Sequence, residues 1–527
     1  MEAPVAATPA SPILNDDAEN GRRRRRSYGF ALLLVACALV GRAVFITQPV
    51  SSDTAMFVYM GKLVCEGKQI GVDLIDNKLP SVGLLMSLPY KVMGSAWWAY
   101  ATFGLVLMIL APLLLARSAG RVLGRHAAVP VGVAATIWLN FPPMVYGQLQ
   151  LETMQVFFVV LGACAGLELL KRRDWRDAIT MGLCVGVAMW AKPTAGAILP
   201  AIGLAIAMSA WTWKQKLGAI AWIGIGVLIP TLVCAWLLML TGMLEPLPAT
   251  IAQIRDYSTN STAEWTDLVK PLFVVGVLMF PVVVWGVVFR RDKQALTPTL
   301  SRGYTGEGVR CTLVVLTVAW LIMELIGVIS QRRMYAYHFL PMGAPAALMV
   351  GLFARRLRMV SLGFAFGPAA ALSVIFAGQV MISPNPQARM TSVIAYLNDR
   401  ARPTDGVWMD DYARLMVETD FVAGSRVPLT FLFGNSDPAP LRFGQIILND
   451  LRSRQPEWVV LHEDVEKYIQ FYRHHMVEIA AFPERGKNFA TAWRDIDSYV
   501  RANYVIDQQI DNMQVMRRAE AVVGTHE

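Results

Sequence analysis

The feature that most constrains this chain is an alternation. Apolar runs of roughly 15–25 residues, the length that spans a ~30 Å hydrocarbon core, are separated by short clusters of Lys and Arg. The clusters are Arg22–Arg26, Arg117/Arg121/Arg125, Lys171/Arg172/Arg173/Arg176, Lys214/Lys216, Arg290/Arg291/Lys293 and Arg355/Arg356/Arg358. Basic residues next to membrane spans stay on the cytoplasmic side. Under that rule the runs pair as out-and-back hairpins: 127–141 with 150–170, 177–191 with 193–211, 216–240 with 268–289, and 311–329 with 335–353. With 55% hydrophobic and 17% charged residues over 527 positions, and a mean hydropathy of +0.43, the chain reads as a polytopic α-helical membrane protein rather than a soluble enzyme. Its net charge of +9 reports topology. No basic groove interleaved with aromatics appears, so no nucleic-acid partner is expected.

One stretch breaks the pairing. If 28–46 goes out and 97–117 returns, Leu79–Gly94 is left over, about 16 residues long and interrupted by Pro89. It is expected to lie along the outer surface as an amphipathic helix. The count is then about eleven spans, the last at 359–382, with the N-terminus inside and the C-terminus outside. Residues 1–27 form a disordered cytoplasmic N-terminus. Residues 28–382 form the membrane domain, with the first outer loop at 47–96. Residues 383–527 form a small extracytoplasmic α/β domain that begins after Ser383-Pro384-Asn385-Pro386. In that domain Met390–Arg402 and Ile446–Arg454 read as helices, and Gly406–Met409 and Trp458–Leu461 as strands. Lys293–Arg310 reads as an inserted cytoplasmic linker. Tyr28–Phe45 is long and lacks a small-residue cleavage site, so it reads as a retained anchor. The six cysteines include no CxxC pair, and all but Cys65 fall in or beside apolar runs. They are expected to be small buried hydrophobes, with no disulfide framework or zinc site.

The first outer loop concentrates the ionisable groups: Asp53, Asp73, Asp76 and Lys78 sit beside the bilayer, where charge is costly and tends to mark function. Met56, Tyr59, Met60, Leu63 and Val64 follow the spacing of one helical face, with Lys62 and Glu66 off that stripe. Gly67–Lys78 then connects to the second surface helix. Asp53 reads as a helix N-cap, as a general base, or as both. Lys78 either snorkels or grips a phosphate as a point charge, with Asp76 holding it or serving as a turn residue. Glu152 opens an apolar run, requires either an ion pair or a wet cavity, and is the second catalytic candidate beside Asp53. Arg332 and Arg333 stand on the outer side, where arginines are scarce, and suit an anionic ligand. Tyr337 and His338 follow them, either as part of an interfacial aromatic belt or against the ligand. Lys192, before Pro193, reads as a snorkelling anchor or a ligand contact. His474 and His475 are adjacent, which is poor spacing for a metal, and read as surface residues.

An Asp after the first span, an amphipathic helix, the connector Gly67-x-x-x-Gly71-x-Asp73, the motif Asp76-x-Lys78-x-Pro80 and the later Lys192-Pro193 together resemble one family. It is the GT-C membrane glycosyltransferases of the protein O-mannosyltransferase and lipid A aminoarabinose transferase type, and the resemblance covers roughly residues 28–350. It implies that Asp53 is catalytic, that Lys78 contacts the lipid phosphate, and that Glu152 faces the cavity. It also implies that the Tyr337 region, with nearby basic residues, binds the donor phosphate. The chain departs from the family in having Thr54 after Asp53, where a second acid is common, and Leu79 between Lys78 and Pro80. The implied reaction transfers a sugar from a polyprenyl-phosphate donor to a glycan, lipid or protein acceptor at the outer face of the inner membrane. The absence of a Gly-rich nucleotide-phosphate loop suits a lipid-linked donor. No cofactor is indicated, and a divalent metal is compatible with the pattern but has no ligand signature. Two other readings remain: a secondary transporter with Glu152 and Asp53 as coupling acids, and a catalytically degenerate scaffold.

Overall fold

Long apolar runs become long helices even where they carry a proline, Pro112 in Trp97–Val122 and Pro230 in Trp213–Leu240, and the way they bury one another shows which of them meets lipid. In a computed structural model the chain is described over residues 34–47, 50–141, 149–259, 306–331, 335–353, 371–376, 388–428, 430–475 and 477–519, with single positions 29, 32, 276, 378 and 379. Among the described residues four helices are long and apolar enough to cross a membrane: Trp97–Val122, Leu151–Arg172, Trp213–Leu240 and Cys311–Ser330. Leu151–Arg172 lies at the centre, with 72% of its apolar window buried by protein, whereas only 28% of the window in Trp213–Leu240 is covered. The outward side chains of Trp213–Leu240 include Leu217, Ile220, Ile225, Leu228 and Leu232. Among the described residues no layer covers them, and they suit contact with hydrocarbon.

Trp213–Leu240 is docked through missing side chains. A Cβ on Gly182, in helix Trp175–Ala191, would stand 2.2 Å from the Ile223 carbonyl oxygen, and one on Gly226 would stand 2.5 Å from that of Ile179. One turn on, a Cβ on Gly186 would meet Pro230 Cγ at 2.4 Å. In lipid, where apolar burial gives little drive for helix association, such close backbone approach is what brings helices together.

The C-terminal region folds around a five-stranded sheet in the order β2-β1-β3-β5-β4. Its strands are β1 (Gly406–Met409), β2 (Val422–Ala423), β3 (Trp458–His462), β4 (Tyr504–Ile510) and β5 (Met513–Arg518). β2, β1 and β3 are parallel, with Val407 opposite Trp458 and Met409 opposite Val460, and β5 and β4 close the sheet antiparallel. Buried runs in β1 and β3 (Val407–Met409, Trp458–Leu461) match strands covered on both faces by helices. Ala439–Arg454 and Pro483–Asn503 supply part of that cover. Both expected strands and both expected helices are present. The 21-residue helix Pro483–Asn503 and the β4–β5 hairpin go beyond the sequence expectation.

Other expectations need correction. The first loop helix, Ser52–Cys65, is not half-exposed: every residue from Thr54 to Leu63 is buried. The second loop helix, Ser81–Met93, covers one side so closely that a Cβ on Gly61 would meet the Met86 carbonyl oxygen at 2.7 Å. The C-terminal domain covers another side, with Tyr412 edge-on to Tyr59 at 6.0 Å. Lys62, expected on an open face, is therefore buried. Its ammonium donates to the carbonyls of Met416 (2.7 Å) and Thr419 (2.6 Å), closing the C-terminal end of helix Ala413–Glu418, where a cation suits the unsatisfied carbonyls. The 193–211 run begins as a 3-10 turn, Pro193–Ala197, and becomes α-helical only over Ile198–Met208. The helix Leu247–Thr259 interrupts what reads in sequence as a plain outer loop. The expected linker shortens, because helix Gly306–Ser330 starts inside it. The expected span 268–289 lies outside the described residues apart from Gly276, and the span 359–382 is described only at 371–376, 378 and 379.

Candidate active site

Three segments converge on the loop-helix end of the membrane domain. The first is the start of the first loop helix. Ser51, not Asp53, is the N-cap: its hydroxyl accepts from Thr54 N–H at 3.2 Å. Asp53 lies in the first helical turn, where the exposed N–H groups favour a carboxylate, and its side chain keeps 30% of its surface open. Thr54 Oγ1 donates to the Leu149 carbonyl at 3.3 Å, which ties this turn to the start of Leu151–Arg172.

The second segment is the connector. Asp73 is structural, since its carboxylate accepts from Gln69 N–H at 2.8 Å and folds Gln69–Asp73 into a turn. Asp76 acts in the same way further along: Oδ1 accepts from Lys78 N–H at 3.0 Å and lies 3.3 Å from Lys78 Nζ. The Lys78 ammonium also stands 4.0 Å from Asp53 Oδ1 and 5.9 Å from the Phe57 ring centroid. Burial works against its charge, but the Asp76 and Asp53 carboxylates outweigh that effect and hold it above the ordinary lysine range. Lys78 is thus a cation that stays charged in a largely dry place.

The third segment is where helix Trp175–Ala191 ends beside the start of Leu151–Arg172. Pro193 bars its predecessor from the helical region, so helix Trp175–Ala191 stops and Lys192 turns extended at φ −155°, ψ 121°. Its ammonium meets Glu152 Oε1 at 2.7 Å. The Lys192 snorkelling alternative gives way to this pair. His338 Nε2 lies 3.8 Å from the same oxygen. Tyr337 packs edge-on to His338 at 4.7 Å and stacks on Tyr335 at 5.4 Å. Tyr337 is within electrostatic reach of both Asp53 and Glu152, and so joins the second acid–lysine pair to the first.

Asp53, Asp76, Lys78, Glu152, Lys192, Tyr337 and His338 are therefore brought together from distant parts of the chain. Arg332 and Arg333 lie outside the described residues. Two further residues escape sequence reasoning. Tyr257, on Leu247–Thr259, lies within electrostatic reach of Lys78 and Tyr337; the helical spacing of Leu247, Ile251 and Ile254 is the available signal. Glu324 is a buried acid inside an apolar helix, a placement that itself marks function. It accepts from Trp320 Nε1 at 2.9 Å and is within electrostatic reach of Lys192.

The fold that gathers three carboxylates and two lysines at one end of apolar helices, beside a loop packed on the C-terminal domain, has counterparts among known structures. The structure aligns with that of ArnT from Cupriavidus metallidurans bound to undecaprenyl phosphate at TM-score 0.58 and 14% identity, over 93% of this chain and 98% of that one. With the apo form of the same enzyme the TM-score is 0.57 at 13% identity, over 94% and 99%. The fold is that of the GT-C membrane glycosyltransferases. Residues 77–238 of the chain also match the family described as dolichyl-phosphate-mannose-protein mannosyltransferase, a stretch that contains Lys78, Glu152 and Lys192. No curated protein matches the chain. Among the described residues no group of three or more His, Cys, Asp or Glu side chains gathers as metal ligands.

Proposed function

We propose that the chain is a glycosyltransferase that moves a sugar from a polyprenyl-phosphate donor to an acceptor at the outer face of the inner membrane. The observation that carries this reading is the Asp53–Lys78 pair, a partly open carboxylate 4.0 Å from a charged, largely buried ammonium. In this reading the donor's polyprenyl tail lies against the apolar helices and its phosphate sits on Lys78. Tyr337 lines the same space, with Arg332 and Arg333 as further phosphate contacts. The acceptor oxygen attacks the anomeric carbon of the donor sugar, and a new glycosidic C–O bond forms as the bond from that carbon to the phosphate oxygen breaks. The electron pair leaves with polyprenyl phosphate, and the acceptor proton passes to Asp53. Asp76 positions Lys78. Glu152 is held by Lys192 and His338 and acts as a fixed charge lining the cavity rather than as the base. The match to a mannosyltransferase family and the likeness to ArnT bound to undecaprenyl phosphate support the donor class.

The test is turnover of a radiolabelled polyprenyl-phosphate sugar by the purified full-length protein, supplied with an envelope extract as acceptor. Label should move from the lipid to the acceptor fraction, and Asp53→Asn should stop it. A wild-type protein that leaves the label on the lipid across a panel of polyprenyl-phosphate sugars overturns the proposal. The outer-face placement is tested separately. Ser95, exposed just before Trp97–Val122, should react as Ser95→Cys with an impermeant thiol reagent in intact cells.

A further inference from the structure

The C-terminal domain carries a cavity of its own, of about 210 Å³, outside the carboxyl ends of the parallel strands β1 and β3. That is where open α/β sheets hold their ligands. Asp410 and Asp411 follow β1 directly, and His462 ends β3. Its walls are of two kinds. Tyr468, Tyr472 and Trp493 form an aromatic side, with ring centroids 4.7 Å and 4.8 Å from Tyr468 to the other two. Asp410, Asp411 and Asp497 form a polar side, joined by Arg414. Ser52, the neighbour of Asp53, is the one contribution from the membrane domain, and its hydroxyl donates to Asp411 Oδ2 at 2.5 Å. Ser52 and Asp53 are successive residues of one helical turn, so their side chains point about 100° apart. One faces this cavity and the other faces Lys78.

We infer that this cavity is a binding site for a neutral sugar ring and serves as the acceptor subsite, a role that rests on the glycosyltransferase reading above. Its size, below the ~300 Å³ of drug-sized pockets, suits a single ring. Aromatic faces take the C–H face of a sugar, and carboxylates accept from its hydroxyls. The indole N–H of Trp493 is buried and has no acceptor among the described residues. An ammonium ligand has only donors and cannot satisfy it, whereas a hydroxyl or ring oxygen can. The wall's charges are largely compensated, Arg414 by Glu418 at 2.6 Å and Asp497 by Arg501 at 2.8 Å, which favours a neutral ligand. Asp411 is in the left-handed backbone region at φ 56°, uncommon for a residue other than glycine and typical of functional sites. Burial pushes its carboxyl up to about 7, so near neutral pH it offers both a donor and an acceptor. Among the described residues the acids do not assemble as a metal donor set.

The experiment is saturation-transfer NMR on the full-length protein in nanodiscs. The probes are free D-mannose, D-glucose, D-galactose, N-acetyl-D-glucosamine and L-arabinose, with 1,6-diaminohexane as the cation and methylphosphonate as the anion. At least one sugar should show transfer, and its apparent Kd should rise about tenfold or more in two variants. Met390→Trp fills the cavity from its half-buried rim, and Asp410→Asn removes a charged acceptor while keeping one for the Tyr468 hydroxyl. Asp53→Asn should bind the same sugar as the wild type. No transfer from the wild-type protein to any sugar, transfer to the diamine or methylphosphonate alone, or sugar binding unchanged in both folded variants overturns the inference. A protein that turns over the lipid-linked sugar but binds no free sugar loses this site and keeps its transferase activity. One that binds sugar here with no turnover keeps the site and loses the transferase reading.

Discussion

The site contains two acid–lysine pairs, and they are built differently. Asp53 and Lys78 are 4.0 Å apart, both in the loop region, with the acid 30% open. Glu152 and Lys192 are 2.7 Å apart at the ends of two packed helices, with the acid only 5% open. A carboxylate clamped at 2.7 Å and only 5% open leaves little room for an incoming hydroxyl. A carboxylate 4.0 Å from its lysine and 30% open can be reached by one. The contrast teaches that an acid beside a lysine can serve either of two ends. In the proposed function the first pair serves proton transfer, and the second holds the cavity wall together.

The sharpest way to break this contrast is Asp53→Asn. Because Ser51 carries the cap, the change should leave thermal stability nearly intact while lowering turnover of the lipid-linked sugar by about 10²–10⁴-fold. An active Asp53→Asn protein would erase the distinction and move the base to Glu152. Next in size, Lys192→Met should leave Glu152 buried with His338 as its remaining neighbour in this pair and destabilise the protein by ~3–5 kcal/mol. Adding Glu152→Gln should recover most of that loss. The measurement is the unfolding midpoint in detergent, and a Lys192→Met protein as stable as the wild type would show that the second pair is not the tight one. Lys78→Ala should act on donor binding, raising the donor KM about tenfold or more through loss of a charged contact worth ~1.5–3 kcal/mol, with a smaller change in kcat. Equal loss in kcat alone would place Lys78 in the chemical step. The smallest effect is expected from Ser51→Ala, at ~1 kcal/mol of stability. Its use is to show whether slackening the turn that carries Asp53 costs activity beyond that.

Most of the site is legible in the sequence because its residues are expensive where they stand. Asp53, Asp76, Lys78, Glu152 and Lys192 are charges at the edges of apolar runs, and a charge there must be paired or used. Strands β1 and β3 are legible from short apolar segments between turns. What is illegible depends on distant contact. Lys62 sits at an unremarkable helical position, and only the carbonyls of Met416 and Thr419, more than 350 residues on, make it an anchor. Asp411 is ordinary in sequence until Ser52 meets it. Asp53 reads as a cap because Ser and Asp both suit that position, and the register of one residue is decided by backbone geometry that propensity does not resolve. Tyr257 is hidden because its helix lies in a segment that topology assigns to a loop.

The glycines between Trp175–Ala191 and Trp213–Leu240 also have a mechanical meaning. The outward residues of Trp213–Leu240 are interchangeable hydrocarbon, so its address in the bundle is written in three absent Cβ atoms, at Gly182, Gly186 and Gly226. Trp190 extends that address. Its indole donates to the Pro230 carbonyl at 3.1 Å, and its own carbonyl accepts from Ser81 at 2.8 Å, three residues after Lys78. A methyl group added at Gly182 must push the two helices apart. The push travels along Trp190 as through a strut to the turn that aims the Lys78 ammonium, which makes a lipid-side seam part of the instrument that positions a charge.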